Sequence, residues 1–325
     1  MTDRRMRLRA AAGLLALVAL TSCAAPQDDV DEARSTTSKE RAPAPTTSVE
    51  SGPNGPNGPN GTIVFDANFS TGPELHAVDV DAVSDRRIGG DASGHGPRIS
   101  PDGRTLAYTR SATPEADPAD VYVLDLVTDQ ERKIGPGGCP TWTTDGEALI
   151  VYRPEGLQRL ELDGTATTVE GGDESCALEV GPGRFVLWGQ DDSLELLDKG
   201  QRRTLLRQPD CGIGPVDVDA TLARIAYSVV CGPGDGSSAG LWVMDLETRE
   251  AERVMEGQLY GAAWSPDDAW IATTRTDVRP DGSSRQDLWI ACPDTCEQRR
   301  IFEGGVNNPT WGPTPAGGST PVAVR

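Results

Sequence analysis

The sequence predicts an all-β fold: a six-bladed β-propeller closed by a C-terminal strand that completes the first blade. Three observations predict it. First, one phrase recurs: an apolar anchor residue, a tight turn, then an apolar strand. Its fullest copy is Ala263-Trp264-Ser265-Pro266-Asp267-Asp268-Ala269-Trp270-Ile271-Ala272. The anchor residues Ile99, Trp142, Val180, Val218, Trp264 and Trp311 stand 43, 38, 38, 46 and 47 residues apart. A period near 40 suits a four-stranded blade. Second, an apolar strand ending in an acid recurs at 75–79, 121–125, 157–161, 194–198 and 241–245, with a sixth copy at 288–292 that ends in Cys292. Third, the apolar residues come in short β-rich runs such as Thr62-Ile63-Val64-Phe65, bounded by Gly, Pro and Asp, and not at helical spacing.

Residues 1–22 read as an export signal. Arg4, Arg5, Arg7 and Arg9 precede an apolar run at 10–20 that is too short for a permanent membrane span. Leu20-Thr21-Ser22-Cys23 resembles the bacterial lipobox, which implies cleavage before Cys23, acylation of its thiol and a lipid-anchored protein on the extracytoplasmic side of a bacterial cell membrane. Residues 23–61 read as a disordered tether, rich in Pro, Gly, Ser and Thr and ending in three copies of Pro-Asn-Gly. Such a stretch has too little apolar surface to offset the entropy of ordering it.

The propeller is expected over 62–313 and a disordered tail over 314–325. The first unit lacks its own anchor strand, and Asn308-Pro309-Thr310-Trp311 supplies one from the far end. Circular closure removes the exposed sheet edges of an open array. In the turns, Pro presets φ, Asp bonds the backbone ahead and Gly tolerates positive φ. The acids Asp79, Asp125, Asp198 and Asp245 are expected to hold turns. Calcium at Asp79-Val80-Asp81 and Asp85 is disfavoured, because the Gly and closing Glu of a loop site are missing.

Six cysteines follow Cys23, an even number in an exported chain. Cys292 and Cys296 span one turn. Cys211 opens an inner strand whose hairpin partner ends at Cys231. Cys139 and Cys176 each precede an anchor residue in adjacent units. The expected pairs are therefore 292–296, 211–231 and 139–176. No Cys-x-x-Cys occurs, and neither a metal nor a cofactor is expected.

The repeat phrases, Trp-Ser-Pro-Asp before an apolar strand and Leu241-Trp242-Val243-Met244-Asp245, resemble those of the TolB propeller family over 62–313. The resemblance is strongest at 99–108, 142–152, 241–248 and 264–273, and poor at 180–188. It implies the propeller and a role in envelope protein interactions. TolB proteins carry an α/β domain ahead of the propeller, where this chain has a tether, so their partners are not carried over.

Net charge is −20; residues 1–22 contribute +3 through four arginines against Asp3, leaving −23 for the remainder. Such a body repels nucleic acid. Only two histidines occur, His76 and His95, so candidates for a general base are few, and no nucleophile elbow is expected. The expectation is a monomeric, non-catalytic binding or scaffold module for an envelope protein, peptide or glycan. The alternatives are a propeller hydrolase or lyase working at the channel mouth, and an accessory or sensory lipoprotein of a membrane complex. The positions just before the anchor residues, Arg98, Thr141, Glu179, Asp217, Ala263 and Thr310, are mostly polar and differ between units. The polar ones, Arg98, Thr141, Glu179, Asp217 and Thr310, with His95, Asn307 and Asn308 just upstream, are the expected binding residues.

Overall fold

The computed structural model of the chain describes residues 59–315 apart from 70–71, 81–83, 90–93, 112–118, 173–174, 190–191, 233–237, 280 and 296. Cys23, most of the tether, Cys296 and residues 316–325 lie outside the described residues.

The described chain is all strand and turn, in six sheets. Blade one holds β1 (Thr62–Phe69), β2 (Gly72–Asp79) and β3 (Ser84–Ile88). Blade two holds β4 (His95–Ile99), β5 (Thr105–Arg110), β6 (Asp120–Asp125) and β7 (Glu131–Pro136). Blade three holds β8 (Gly138–Trp142), β9 (Ala148–Arg153), β10 (Gly156–Glu161) and β11 (Ala166–Thr168). Blade four holds β12 (Cys176–Glu179), β13 (Arg184–Trp188), β14 (Ser193–Asp198) and β15 (Gln201–Arg207). In blade five β16 (Cys211–Ile213) and β17 (Asp217–Val218) both pair with β18 (Arg224–Cys231), followed by β19 (Gly240–Asp245) and β20 (Ala251–Glu256). Pro215 lies in the break between β16 and β17 and has no N–H to give the ladder. Blade six holds β21 (Leu259–Trp264), β22 (Ile271–Val278), β23 (Ser284–Ala291) and β24 (Gln298–Phe302). Finally β25 (Val306–Gly312) pairs antiparallel with β1, Ile63 opposite Trp311. The last strand is thus the inner strand of the first blade, as the spare anchor phrase predicts.

The core lies between blades. The buried apolar residues fall into six clusters, each drawn from two neighbouring blades. On β5, Leu106 and Tyr108 pack toward blade one, and Ala107 packs toward blade three. Strand alternation feeds two interfaces from one segment. The ring closes through the cluster that joins Ile63, Phe65 and Trp311 to Trp270, Leu288 and Ile290.

The turn chemistry repeats with the anchor phrase. Ser100 Oγ, Thr143 Oγ1 and Ser265 Oγ each donate at 2.6 Å to the Asp two residues on. Those carboxylates accept from Arg104, Glu147 and Ala269 N–H. Asp125 and Asp245 each accept two backbone N–H bonds in the outer turns, from Val127 and Thr128 and from Glu247 and Thr248. Asp198 differs: it faces Arg184 across the hairpin at 3.5 Å.

Disulfides join Cys139 to Cys176, across blades three and four, and Cys211 to Cys231, within blade five. Cys292 is buried; its expected partner Cys296 lies outside the described residues.

Candidate functional site

Four inner strands carry the same irregularity. On β4, β8, β21 and β25 the residue three before the anchor residue has positive φ: Gly96 (58°), Cys139 (46°), Gly261 (75°) and Asn308 (47°). The ladder slips at each of these points. On β4, His95 pairs with Thr109 and Arg98 with Ala107, so three steps on one strand match two on the other. A bulge of this kind re-aims side chains.

The inner strands of all six blades line one axial cavity of about 580 Å³. Its walls include Arg98, Thr141, Glu179, Asp217 and Thr310. The sixth equivalent residue, Ala263, is buried at 1% exposure and is not part of that lining. The cavity lies at the turn end of the inner strands, with Pro101, Thr144, Ala220 and Pro313 around it.

Most of these side chains tie blades together. Thr310 Oγ1 accepts from Ile99 N–H at 3.2 Å, and Asp217 Oδ2 accepts from Trp264 N–H at 2.7 Å. Thr141 Oγ1 donates to the Ala177 carbonyl at 2.6 Å, and Glu179 Oε2 accepts from the Thr144 N–H and hydroxyl at 2.7 and 3.0 Å. Their variety therefore has a framework role. Arg98 is the exception. A guanidinium has only donors, so it cannot accept the anchor N–H of the next blade as Thr310 and Asp217 do. It is half-buried, and its guanidinium makes no hydrogen bond or ion pair with a described residue. Burial holds its pKa down, while the Asp217 carboxylate and the Tyr260 phenol act to raise it. Burial likewise pushes Asp217 up to about 6, against the pull of Arg98 and the Trp264 and Val218 N–H groups.

At the opposite, strand-entry end a second group gathers on blades six, one and two. Asp66 on β1 is 1% exposed. Its Oδ1 accepts from Gly96 N–H at 3.2 Å and Asn308 Nδ2 at 2.9 Å. Its Oδ2 faces His95 Nδ1 at 3.7 Å. That carboxylate raises the His95 pKa above its usual value, with burial opposing it. The imidazole itself is 54% exposed. Tyr260 is 41% exposed; its pKa is raised by burial and by Asp66 and lowered by Arg98. Asn307 Nδ2 turns back to the Gly305 carbonyl at 3.4 Å.

The residues expected as one site thus occupy two ends of one channel. Arg98, Thr141, Glu179, Asp217 and Thr310 line the turn-end cavity; His95, Asn307 and Asn308 lie at strand entry. Asp66 and Tyr260 belong with the second group and were not expected. Asp66 had a signal, an acid set into the apolar run Ile63-Val64-Phe65. His76 lies on β2, beside Glu74 and Asp85 at 3.6 and 3.4 Å. Among the described residues no group of three or more His, Cys, Asp or Glu is placed to hold a metal ion.

The spacing Gly-x-Ser-x-Gly does occur, at Gly236-Ser237-Ser238-Ala239-Gly240. It leads into β19 and the Ser238 carbonyl accepts from Trp242 Nε1 at 3.0 Å. A nucleophile elbow turns a strand into a helix, so this is not one.

No protein-family model matches the chain, and no curated protein sequence does. Solved structures do match. TolB from Acinetobacter baumannii is 18% identical with a TM-score of 0.63, over 78% of this chain and 67% of that one. The putative TolB from Agrobacterium tumefaciens is 12% identical with a TM-score of 0.57, over 77% and 91%. The tricorn protease is 16% identical with a TM-score of 0.54; the match covers 76% of this chain but only 26% of that protein. Identities this low establish the shared fold. The chain has the six-bladed fold of TolB-like propellers.

Proposed function

We propose that the chain is a lipid-anchored, extracytoplasmic binding module that holds an envelope protein, peptide or glycan at its central channel and catalyses no reaction on it. The axial cavity of about 580 Å³ carries this reading. It is the place where all six inner strands meet and where unlike polar residues stand on a repeating apolar frame. Cavities of this size suit a peptide segment or a small ligand. The leader and Leu20-Thr21-Ser22-Cys23 support the membrane location; with it, the protein would act as an accessory or sensory lipoprotein of a larger complex. The test uses the intact protein as bait in detergent extracts of the membrane. Ala220 is exposed and lines the cavity, so Ala220→Trp narrows the cavity without touching the core. Capture should be lost at an unchanged melting temperature. Capture that survives moves the partner to the outer faces of the blades. Mass spectrometry of the membrane fraction should find Cys23 acylated and at the mature N-terminus.

One observation favours a second reading, a hydrolase or lyase at the channel. The buried Asp66 orients His95, the geometry of a general base and its brace. A hydrolase and lyase screen of wild type against His95→Gln separates the two readings.

A further inference from the structure

We propose that the turn-end cavity binds a short peptide by its two ends, the C-terminal carboxylate on the Arg98 guanidinium and the N-terminal ammonium on the Asp217 carboxylate. The proposal rests on the reading of the channel as a binding site and names the chemistry it recognises.

Arg98 is the one cation among the cavity's lining residues. It is half-buried, and its guanidinium bonds to no described residue. Three other acids of the lining are already bonded within the chain. Glu179 accepts from Thr144 N–H, Asp219 pairs with Arg224, and Asp268 accepts from Ala220 N–H. A guanidinium taken partly out of water with its donors unused by the chain is matched by a planar carboxylate, which it meets bidentately. The main chain that carries it is fixed on both sides. The Arg98 carbonyl accepts from Trp142 Nε1 at 2.9 Å, and Ile99 N–H donates to Thr310 Oγ1 at 3.2 Å. Such preorganisation lowers the cost of holding a ligand.

Asp217 stands on the opposite wall. Blades two and five are opposite in a ring of six, and both residues line the one cavity. The two side chains form no ion pair with each other. Asp217 Oδ2 accepts Trp264 N–H at 2.7 Å, and no cation of the described chain pairs with it. A carboxylate has about four lone-pair sites, so it retains room for an ammonium. A ligand of one charge satisfies one wall and is repelled by the other, whereas a ligand with a charge of each sign satisfies both. Trp264 indicates that this ligand is a peptide. It lines the cavity, and its buried indole N–H has no partner among the described residues. In Trp142 and Trp311 the same N–H is taken by main-chain carbonyls, those of Arg98 and Asn60. A peptide seated beside Asp217 brings carbonyls of that kind. Ile99, Leu178, Val218 and Leu222 give its side chains apolar walls.

The test is calorimetric. The full-length protein in detergent is titrated at pH 7.5 with trialanine, trialanine amide and N-acetyl-trialanine. Trialanine should bind saturably, and blocking either end should weaken it about tenfold, the scale of one charge-assisted contact. The variants assign the ends. Arg98→Gln should abolish the preference for a free C-terminus and keep that for a free N-terminus; Asp217→Asn should do the reverse. Blocked peptides that bind as well as trialanine, or a folded variant that keeps both preferences, overturn the proposal. So does the absence of saturable binding by trialanine, and so does alanine binding as tightly as trialanine, which removes the peptide. The blocked peptides test the wild type alone, so the result does not depend on either variant folding. Partner capture is read separately with Ala220→Trp: if that variant loses capture while trialanine fails to bind, the channel keeps its partner role and only its recognition of peptide ends is lost.

Discussion

The two halves of the channel rim are both built on antiparallel inner strands and are held by different forces. Blades three, four and five are stapled: Cys139–Cys176 links two inner strands, and Cys211–Cys231 locks the third inner strand to its neighbour. Blades six, one and two have no disulfide among the described residues. They are joined by the pairing of β25 with β1, by Thr310 to Ile99, and by Asp66 to Gly96 and Asn308. The titratable groups at strand entry, His95, Asp66 and Tyr260, all lie in this second half. Among the described residues the joint between the two chain segments is held by hydrogen bonds and packing. The same joint brings unlike segments together, 242 residues apart at Asp66 and Asn308, and so supplies polar combinations that no single repeat can encode.

Removing the closure strand should break this comparison most severely. A chain ended after Gly304 loses β25, exposes the edge of β1 and empties the site of the buried Val306 and Trp311. Losing a buried Trp alone costs about 3–5 kcal/mol, and the unpaired strand adds to that. No cooperative melt of native size is expected in calorimetry. A truncated chain that melts like the intact one would show that the closure is decorative.

The stapled half comes next. Chain entropy assigns about 4 kcal/mol to the disulfide spanning 37 residues and about 3 kcal/mol to that spanning 20. Urea unfolding of the Cys139→Ser, Cys176→Ser pair should show the larger loss. The His95 imidazole titration should not move, because the staple and the polar group stand on different blades. A shifted titration would mean that the two halves are coupled.

Arg98 and Asp217 sharpen the comparison, because they face each other from the two halves, on blades two and five. Asp217 has a folded pKa pushed up to about 6 against an ordinary 3.8. The folded state therefore holds the proton more tightly, and stability falls as pH rises from about 4 to about 6. The cost is then constant up to neutrality. Asp217→Asn removes it while keeping an acceptor for Trp264 N–H. Relative to wild type, the variant should gain about 2 kcal/mol between pH 4 and pH 7.5, because a tenfold difference in proton affinity between folded and unfolded chain is worth about 1.4 kcal/mol. Urea midpoints at the two pH values measure it, and an equal difference at both would sink the argument.

The propeller was legible because its signal is repeated. Trp142, Trp264 and Trp311 announce the anchor positions, and Asp102, Asp145 and Asp267 announce the turns that follow. The same repetition exposed the varied positions before each anchor residue. It did not reveal that Thr141, Asp217 and Thr310 use their variety to tie one blade to the next. That role depends on which backbone group lies opposite, which is a property of assembled blades. The bulges were hidden for a related reason. Gly96, Cys139, Gly261 and Asn308 share no side-chain chemistry; they share only positive φ, and the register slip needs the partner strand to be seen. Asp66 stands in an apolar run and draws its meaning from Gly96 and Asn308, which are remote in sequence.

The smallest expected effect tests the brace itself. Asp66→Asn keeps the size of the side chain and an acceptor for Gly96 N–H, but removes the charge beneath His95. Weakening a buried, charge-assisted set of bonds costs about 1–3 kcal/mol, toward the low end here because the imidazole is half exposed and solvent screens it. The pH dependence identifies the cause. His95 has a folded pKa raised by Asp66, so its contribution is fully present below the unfolded value near 6.5 and is lost as pH rises through the folded value. The stability gap between wild type and Asp66→Asn should therefore be wider at pH 5.5 than at pH 8.5. The imidazole titration should also drop toward 6.5 in the variant. If the gap is the same at both pH values and the titration stays in place, Asp66 serves Gly96 and Asn308 alone, and His95 adds nothing to the joint.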